Sequence, residues 1–262
     1  MPATRTSYIH AAVKIAKLRV QNGVLEDIDI AGAPLIPRFR VGGCREIVRT
    51  KATRTRDQML ILGLTGSLAM GKSVTSRLFA EAGVPVHDAD AAVHQLYAGE
   101  AVAAVERAFP GSTAAGRVER QLLAARVLDD AAAIKRLEDI IHPLVREAEN
   151  RFLAAATAQG VRVAALDIPL LFETDGEARV DAVVVVSAPL PMQRARALER
   201  PGMTADKLDA ILSKQMPDAE KRARAHFLVD SSRGIDSARA QVRGILRAVA
   251  AIPGRHMPHI SG

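Results

Sequence analysis

Apolar residues along this chain change period in a regular order. Met59 to Thr65 is a short, nearly unbroken apolar run that ends in glycine-rich sequence, as a buried parallel strand entering a turn does. Val74, Leu78 and Phe79 then recur at helical spacing until Gly83 stops the helix, and Val84-Pro-Val-His87 reads as a second short strand. Helical spacing returns over 91–109, 117–128 and 131–159; Pro143 inside the last stretch predicts a kink or a division of that helix. Residues 161–166 and 181–186 are further buried-strand candidates, 227–229 is a fifth, and 235–250 is an amphipathic helix with Ala238, Val242, Ile245 and Val249 on one side. Strands alternating with helices predict an α/β fold in which right-handed crossovers cover both faces of a parallel sheet.

Composition narrows this picture. The chain has 262 residues, room for one large domain or two small ones, and 48% apolar with 25% charged residues is globular usage, although aromatic bulk is scarce: two Tyr, six Phe and no Trp. Arg, Asp or Glu interrupts every apolar run before it reaches the roughly 18 to 20 residues of a membrane-spanning helix, so no membrane partner is expected. Cys44, the single cysteine, has no partner for a disulfide, and the seven His show no zinc-ligand spacing. A cytoplasmic location fits this usage best.

The formal charge of +7 is concentrated upstream. Residues 1–58 hold 11 Lys and Arg against 5 Asp and Glu, whereas the rest of the chain holds 25 against 24. The extension has no acid before Glu26; its first part reads as a short amphipathic helix or a transit-peptide-like leader, and its second as a weakly ordered arm of Gly, Pro, Arg and Thr. A leader dispensable to the rest of the chain is the simplest reading. With only Tyr8 and Phe39 to stack on bases, the extension is a poor nucleic-acid signal. Residues 253–262 read as a flexible tail.

The chemistry is concentrated after the first strand. Gly66, Ser67, Leu68, Ala69, Met70, Gly71, Lys72 and Ser73 satisfy G-x-x-x-x-G-K-S/T directly between a strand and a helix. Glycines at both ends let the backbone turn its amides inward around a polyphosphate, and the start of the following helix adds a positive dipole end. Lys72 is placed to reach the β- and γ-phosphates, and Ser73 to ligate Mg²⁺, so ATP is the expected donor and Mg²⁺ its companion. A GTPase would need N-K-x-D, but the two Asn, Asn22 and Asn150, do not begin that motif. About 200 residues beyond the extension suit a small-molecule kinase.

Beyond the loop, Gly63-Leu-Thr-Gly-Ser67, Asp88-Ala-Asp90, His142-Pro143, Pro169-Leu-Leu-Phe-Glu173 and Gln215 before a basic stretch occur in order and at the right spacing to resemble dephospho-coenzyme A kinase. The resemblance covers 59–250. It implies a P-loop kinase domain over 59–252, with a five-stranded parallel core, a helical substrate region and a lid, and transfer of the ATP γ-phosphoryl group to the ribose 3′-hydroxyl of dephospho-CoA. ATP and dephospho-CoA are then the partners of a monomer or weak homo-oligomer.

Asp88 and Asp90 lie two apart at a predicted strand end and face the same way if the strand persists, with Asp90 alternatively capping the next helix. Asp90 matches the family's proposed base, and Asp88 a substrate contact, an orienting group or a Mg²⁺-water partner. His142 falls in the family's acceptor region. Pro169, Leu170, Leu171 and Phe172 would form an apolar wall for the acceptor, with Glu173 as its polar anchor, and Asp167 would hold a water of Mg²⁺. Arg194, Arg196 and Arg200 precede Pro201-Gly202 and a Thr204-capped helix that looks like the lid, with Arg200 the chosen catalytic arginine. Lys221 stands where the family usually carries Arg, beside Arg222 and Arg224. Ala69 replaces a frequent third glycine, Val74, at the end of the ATP-binding run, replaces a common Thr, and His226 replaces a frequent acid. The nearest alternative is a P-loop kinase for a nucleoside monophosphate or another metabolite.

Overall fold

The structure is a computed structural model and describes residues 19–21, 24–26, 59–127, 130–250, 252 and 254. In the extension it places two short strands, Arg19–Gln21 (β1) and Val24–Glu26 (β2), paired antiparallel with Val20 opposite Leu25. The helical or weakly ordered reading of the remaining extension residues lies outside the described residues, as does that of the tail apart from Gly254, which is buried against Met59.

From Leu60 the chain builds a five-stranded sheet of Leu60–Thr65 (β3), Val86–Asp88 (β4), Val163–Asp167 (β7), Ala182–Ser187 (β8) and Phe227–Asp230 (β9), ordered β4-β7-β3-β8-β9. β3 is central and pairs parallel with both β7 and β8, with Leu64 opposite Asp167 and Val184. The side-chain period of two sends Leu60, Leu62 and Leu64 to one face of the sheet. Val184, Val186, Phe227 and Val229 join them there, under Leu78 and Phe79 of Lys72–Glu81 (α1) and under Ala238, Val242, Ile245 and Val249 of the last helix, Gly234–Val249. These side chains are essentially removed from water, each stabilising the fold by about 1.5–3 kcal/mol.

The chain divides into two compact units, the sheet unit just described and a helical unit over 87–161. The helical unit holds Ala89–Leu96 (α2), Val102–Ala108 (α3), a small hairpin of Thr113–Ala114 (β5) and Arg117–Val118 (β6), Arg120–Val127 (α4) and Ala131–Ala158 (α5). Its own core gathers Leu96, Val105, Phe109, Leu123, Val127 and Ile141.

Four expectations change here. The helical pattern over 117–128 begins only at Arg120, because Arg117 and Val118 pair with Thr113 and Ala114 in the small hairpin. The helical pattern over 91–109 is two helices, broken over 97–101, where the Leu96 carbonyl accepts from both Gly99 and Ala101. Pro143 does not divide α5, which runs unbroken for 28 residues. The carbonyl that loses its partner is that of Asp139; both residues are exposed, so water can take the place of the missing amide. Finally, β4 ends at Asp88 and it is Asp88, not Asp90, that caps α2, accepting the Ala91 amide at 3.0 Å. Asp90 lies in the first turn of that helix, so the two carboxylates do not share a strand face.

The remaining sheet-unit helices are Leu190–Leu198 (α6), Ala205–Leu212 (α7), Asp218–Arg224 (α8) and the closing Gly234–Val249 (α9). Thr204 caps α7 as expected, its hydroxyl accepting the Lys207 amide.

Candidate active site

The loop 66–71 leaves the carboxyl end of the central strand, where an open parallel sheet forms a crevice because the connections on either side of β3 diverge. Its backbone explains its glycines. A Cβ on Gly66 would sit 2.6 Å from the Val186 carbonyl oxygen, so only glycine lets the loop pass β8 this closely. Gly71 adopts φ 91°, a left-handed conformation, immediately before α1. Ala69 is also left-handed, at φ 61°. That conformation costs a residue with a Cβ about 1–2 kcal/mol, but the methyl is buried with Ala197 and Leu208, which offsets part of the cost.

Side chains from four other segments fasten this loop. Lys72 Nζ lies 2.6 Å from Asp167 Oδ1 at the end of β7, and Asp167 is 1% exposed. Leu68 is gripped on both sides: its amide donates to Gln215 Oε1 at 3.2 Å and its carbonyl accepts from Gln193 Nε2 at 2.8 Å. The Ser231 hydroxyl donates to the Met70 carbonyl at 2.8 Å, and Arg196 donates to both the hydroxyl and carbonyl oxygens of Ser231. Thr65, the last residue of β3, donates to the Pro169 carbonyl at 3.0 Å and so ties the loop's origin to the segment after β7. Ser73, in the first turn of α1, is exposed, and Val74 is half-buried against the core.

The basic residues after β8 divide into distinct roles. Arg194 reaches Asp209 at 2.5 Å and braces α6 against α7. Arg196 stands beside the phosphate loop, its guanidinium 3.9 Å from where a Cβ of Gly71 would lie. Arg200 is exposed just beyond α6 and makes no ion pair among the described residues, and Arg222 is likewise exposed on α8. Sequence reasoning left Arg196 without a role and missed Gln193 and Ser231, because nothing local distinguishes a glutamine or serine whose partner lies more than 100 residues away.

In the segment after β7, Leu170 is 41% exposed, whereas Leu171 and Phe172 are buried, Leu171 against Gly63. Glu173 turns into the protein: its Oε1 accepts the Met216 amide at 2.8 Å and lies 2.9 Å from Nζ of the fully buried Lys221. Burial pushes the Glu173 carboxyl up, but the Lys221 ammonium and the Met216 amide outweigh it and hold the group below its ordinary range. Arg224 stacks over the Phe172 ring at 4.6 Å and pairs with Glu177.

In the helical unit, Asp88, Asp90 and His142 are all exposed. Beneath Asp88, His87 lies against the Phe152 ring with centroids 5.2 Å apart. Burial lowers the His87 pKa, and the nearby Glu149 and Asp88 carboxylates oppose that shift only in part.

A phosphate-binding loop on the central strand of a parallel sheet, with its lysine held by an acid at the end of the next strand, defines the class of P-loop kinases. A family model described as dephospho-CoA kinase matches residues 60–237. The chain belongs to the dephospho-CoA kinase family, the kinases of the last step of coenzyme A biosynthesis. Its relatives include a dephospho-CoA kinase of Rhodopseudomonas palustris (strain BisB18), 62% identical over 197 residues, which are 75% of this chain and 99% of that one. Another, of Agrobacterium fabrum, is 54% identical over 193 residues, 74% of this chain and all of its own. Among solved structures, TT1252 from Thermus thermophilus is 31% identical, with a TM-score of 0.65 over 72% of this chain and 97% of that one. The dephospho-CoA kinase from Campylobacter jejuni, 19% identical with a TM-score of 0.51 over 72% of this chain and 96% of its own, shares the fold.

Proposed function

We propose that this chain transfers the γ-phosphoryl group of ATP to the ribose 3′-hydroxyl of dephospho-CoA. The observation that carries this reading is the loop 66–73 itself, closed by glycine geometry and fastened by Lys72 on Asp167 at the carboxyl ends of β3 and β7. In the reaction the acceptor oxygen forms a bond to the γ-phosphorus, the bond from that phosphorus to the β,γ-bridging oxygen breaks, and ADP leaves with the electron pair.

The loop amides of 66–74 and the α1 N-terminus bind the triphosphate, and Lys72 exchanges its contact with Asp167 for one with the β- and γ-phosphates. Asp90, exposed in the first turn of α2, takes the proton of the 3′-hydroxyl. Asp88, His142 and the exposed Leu170 contact the acceptor, beside Pro169. Arg200, exposed just beyond α6, supplies positive charge as negative charge shifts onto the leaving ADP, while Arg196 holds the loop through Ser231.

The donor set fits Mg²⁺. Ser73 offers an exposed hydroxyl in the first turn of α1, and Asp167 a carboxylate at the same strand end; both are hard oxygen donors. A Mg²⁺ ion bound with the nucleotide would be held by Ser73 directly and by Asp167 through water, and would supply positive charge against the phosphates.

No helix among the described residues is long and apolar enough to cross a membrane, and we assign the enzyme to the cytoplasm, acting as a monomer or weak homo-oligomer. Incubation with ATP, Mg²⁺ and dephospho-CoA should yield a product heavier by one phosphoryl group, about 80 mass units. Phosphorylation of a nucleoside monophosphate or another metabolite in an acceptor panel, with dephospho-CoA left untouched, would overturn the reading, as would turnover that survives chelation of Mg²⁺.

A further inference from the structure

Glu173 ends the segment that follows β7, and its carboxylate is turned to Met216 and Lys221. One oxygen receives the Met216 amide and faces the Lys221 ammonium; the other is buried without a hydrogen-bond partner. The ammonium is itself fully buried, and its contact with Glu173 falls short of an aligned hydrogen bond, so the pair is held by charge and by its surroundings more than by directional bonding. Such a pair is costly to bury, and each member depends on the other.

The partner of Glu173 matters more than the pair alone. Met216 adjoins Gln215, the residue whose side chain accepts the Leu68 amide of the phosphate loop. Two adjacent residues therefore face opposite loops: Gln215 holds the donor loop by its side chain and Met216 holds the segment after β7 by its backbone. The other end of that segment is tied to the root of the donor loop by Thr65 on the Pro169 carbonyl. Together these contacts close a ring of β3, phosphate loop, Gln215–Met216 step, Glu173, Pro169 and back to β3.

We propose that Glu173 and Lys221 are positioning residues for the nucleotide, setting the phosphate loop through the Gln215–Met216 step although Glu173 lies in the segment assigned to the acceptor. The proposal builds on the kinase reading above. Removal of one charge alone leaves the other buried without its counter-ion; that ion draws in water or turns away, the Met216 contact shifts with it, Gln215 follows, and the Leu68 amide is held less well. Removal of both charges by Glu173→Gln with Lys221→Met leaves an amide oxygen for Met216 and no buried ion.

A double-mutant cycle tests this. KM for ATP, KM for dephospho-CoA and kcat are measured for Glu173→Gln, Lys221→Met and the double variant, and binding of a fluorescent ATP analogue is measured without acceptor. Each single variant should raise KM for ATP and weaken analogue binding about tenfold while changing KM for dephospho-CoA less than about twofold, and the double variant should recover most of the loss. If a single variant does not fold, Gln215→Ala leaves the pair intact and should weaken analogue binding by a similar factor. A rise in KM for dephospho-CoA alone, persisting in the double variant, would make Glu173 a substrate contact and overturn the proposal; so would unchanged nucleotide binding in every variant. Because the analogue assay needs no acceptor, a wild-type protein that ignores dephospho-CoA, with nucleotide binding still weakened in the single variants and recovered in the double, would refute the acceptor assignment and leave the positioning role standing.

Discussion

Lys72 serves two purposes that mutation can separate. Lys72→Met removes the only loop ammonium available to the phosphates, and turnover should fall by about 10²–10³ or more. It also takes the ammonium away from the buried Asp167 carboxylate and should lower stability. Adding Asp167→Asn should return much of that stability in a denaturant titration and none of the activity. If the double variant stays as unstable as the single, the pair is not what holds Lys72. Glu173 adds a pH dependence. Its folded pKa lies below the ordinary 4.5, so its contribution to stability is complete above that value and is lost as pH falls through the lower folded value. The Glu173→Gln with Lys221→Met variant should lose less thermal stability than wild type as pH falls below 4.5.

Among the elements, α2 shows how cap and base separate. Asp88→Ala deletes the side-chain cap and should cost about 1 kcal/mol of stability. Asp90→Ala caps nothing, so it should leave the melting temperature unchanged while abolishing phosphoryl transfer. Equal destabilisation by both would mean that Asp90 is structural. His87, just before the cap, has its pKa lowered by burial, so it binds a proton less readily when folded than when unfolded. Its contribution is intact above the ordinary 6.5 and declines as pH falls below it; His87→Phe should flatten the stability profile between pH 7 and pH 5.

Across the fold, stability and ligand binding are linked through the sheet unit. ATP with Mg²⁺ at 100 times its dissociation constant should stabilise the protein by about 2.7 kcal/mol, and Lys72→Met should abolish most of the shift in melting temperature. Hydrogen exchange should slow at 66–73 and in the first turn of α1, where the loop amides would donate to phosphate. An unchanged exchange profile there would place the nucleotide elsewhere.

Much of this protein was legible before any coordinates. All five core strands lie within a few residues of the apolar runs that predict them; β3, β7 and β8 are plainest, because a strand buried on both faces leaves an unbroken apolar run that few other elements imitate. Thr204 was read as a cap from chemistry alone. Short range also misleads: the alternative reading of Asp90 as a cap gives it the role that Asp88 has, because strand and helix boundaries decide such roles and a shift of one or two residues reassigns them. The β1–β2 pair was missed although Asn22-Gly23 between the strands is a favoured hairpin dipeptide.

Periodicity and the glycine-lysine loop are written in neighbouring residues, so the order of strands and helices and the binding of a polyphosphate follow from the chain read linearly. The partners of that loop do not. Asp167 meets Lys72 across 95 residues, Gln215 meets Leu68 across 147, and Ser231 meets Met70 across 161. Their side chains are polar and ordinary in sequence, and no local preference selects one carboxylate or amide over another. Only the order β4-β7-β3-β8-β9, which brings the carboxyl ends of distant strands around one crevice, decides which of them hold the site.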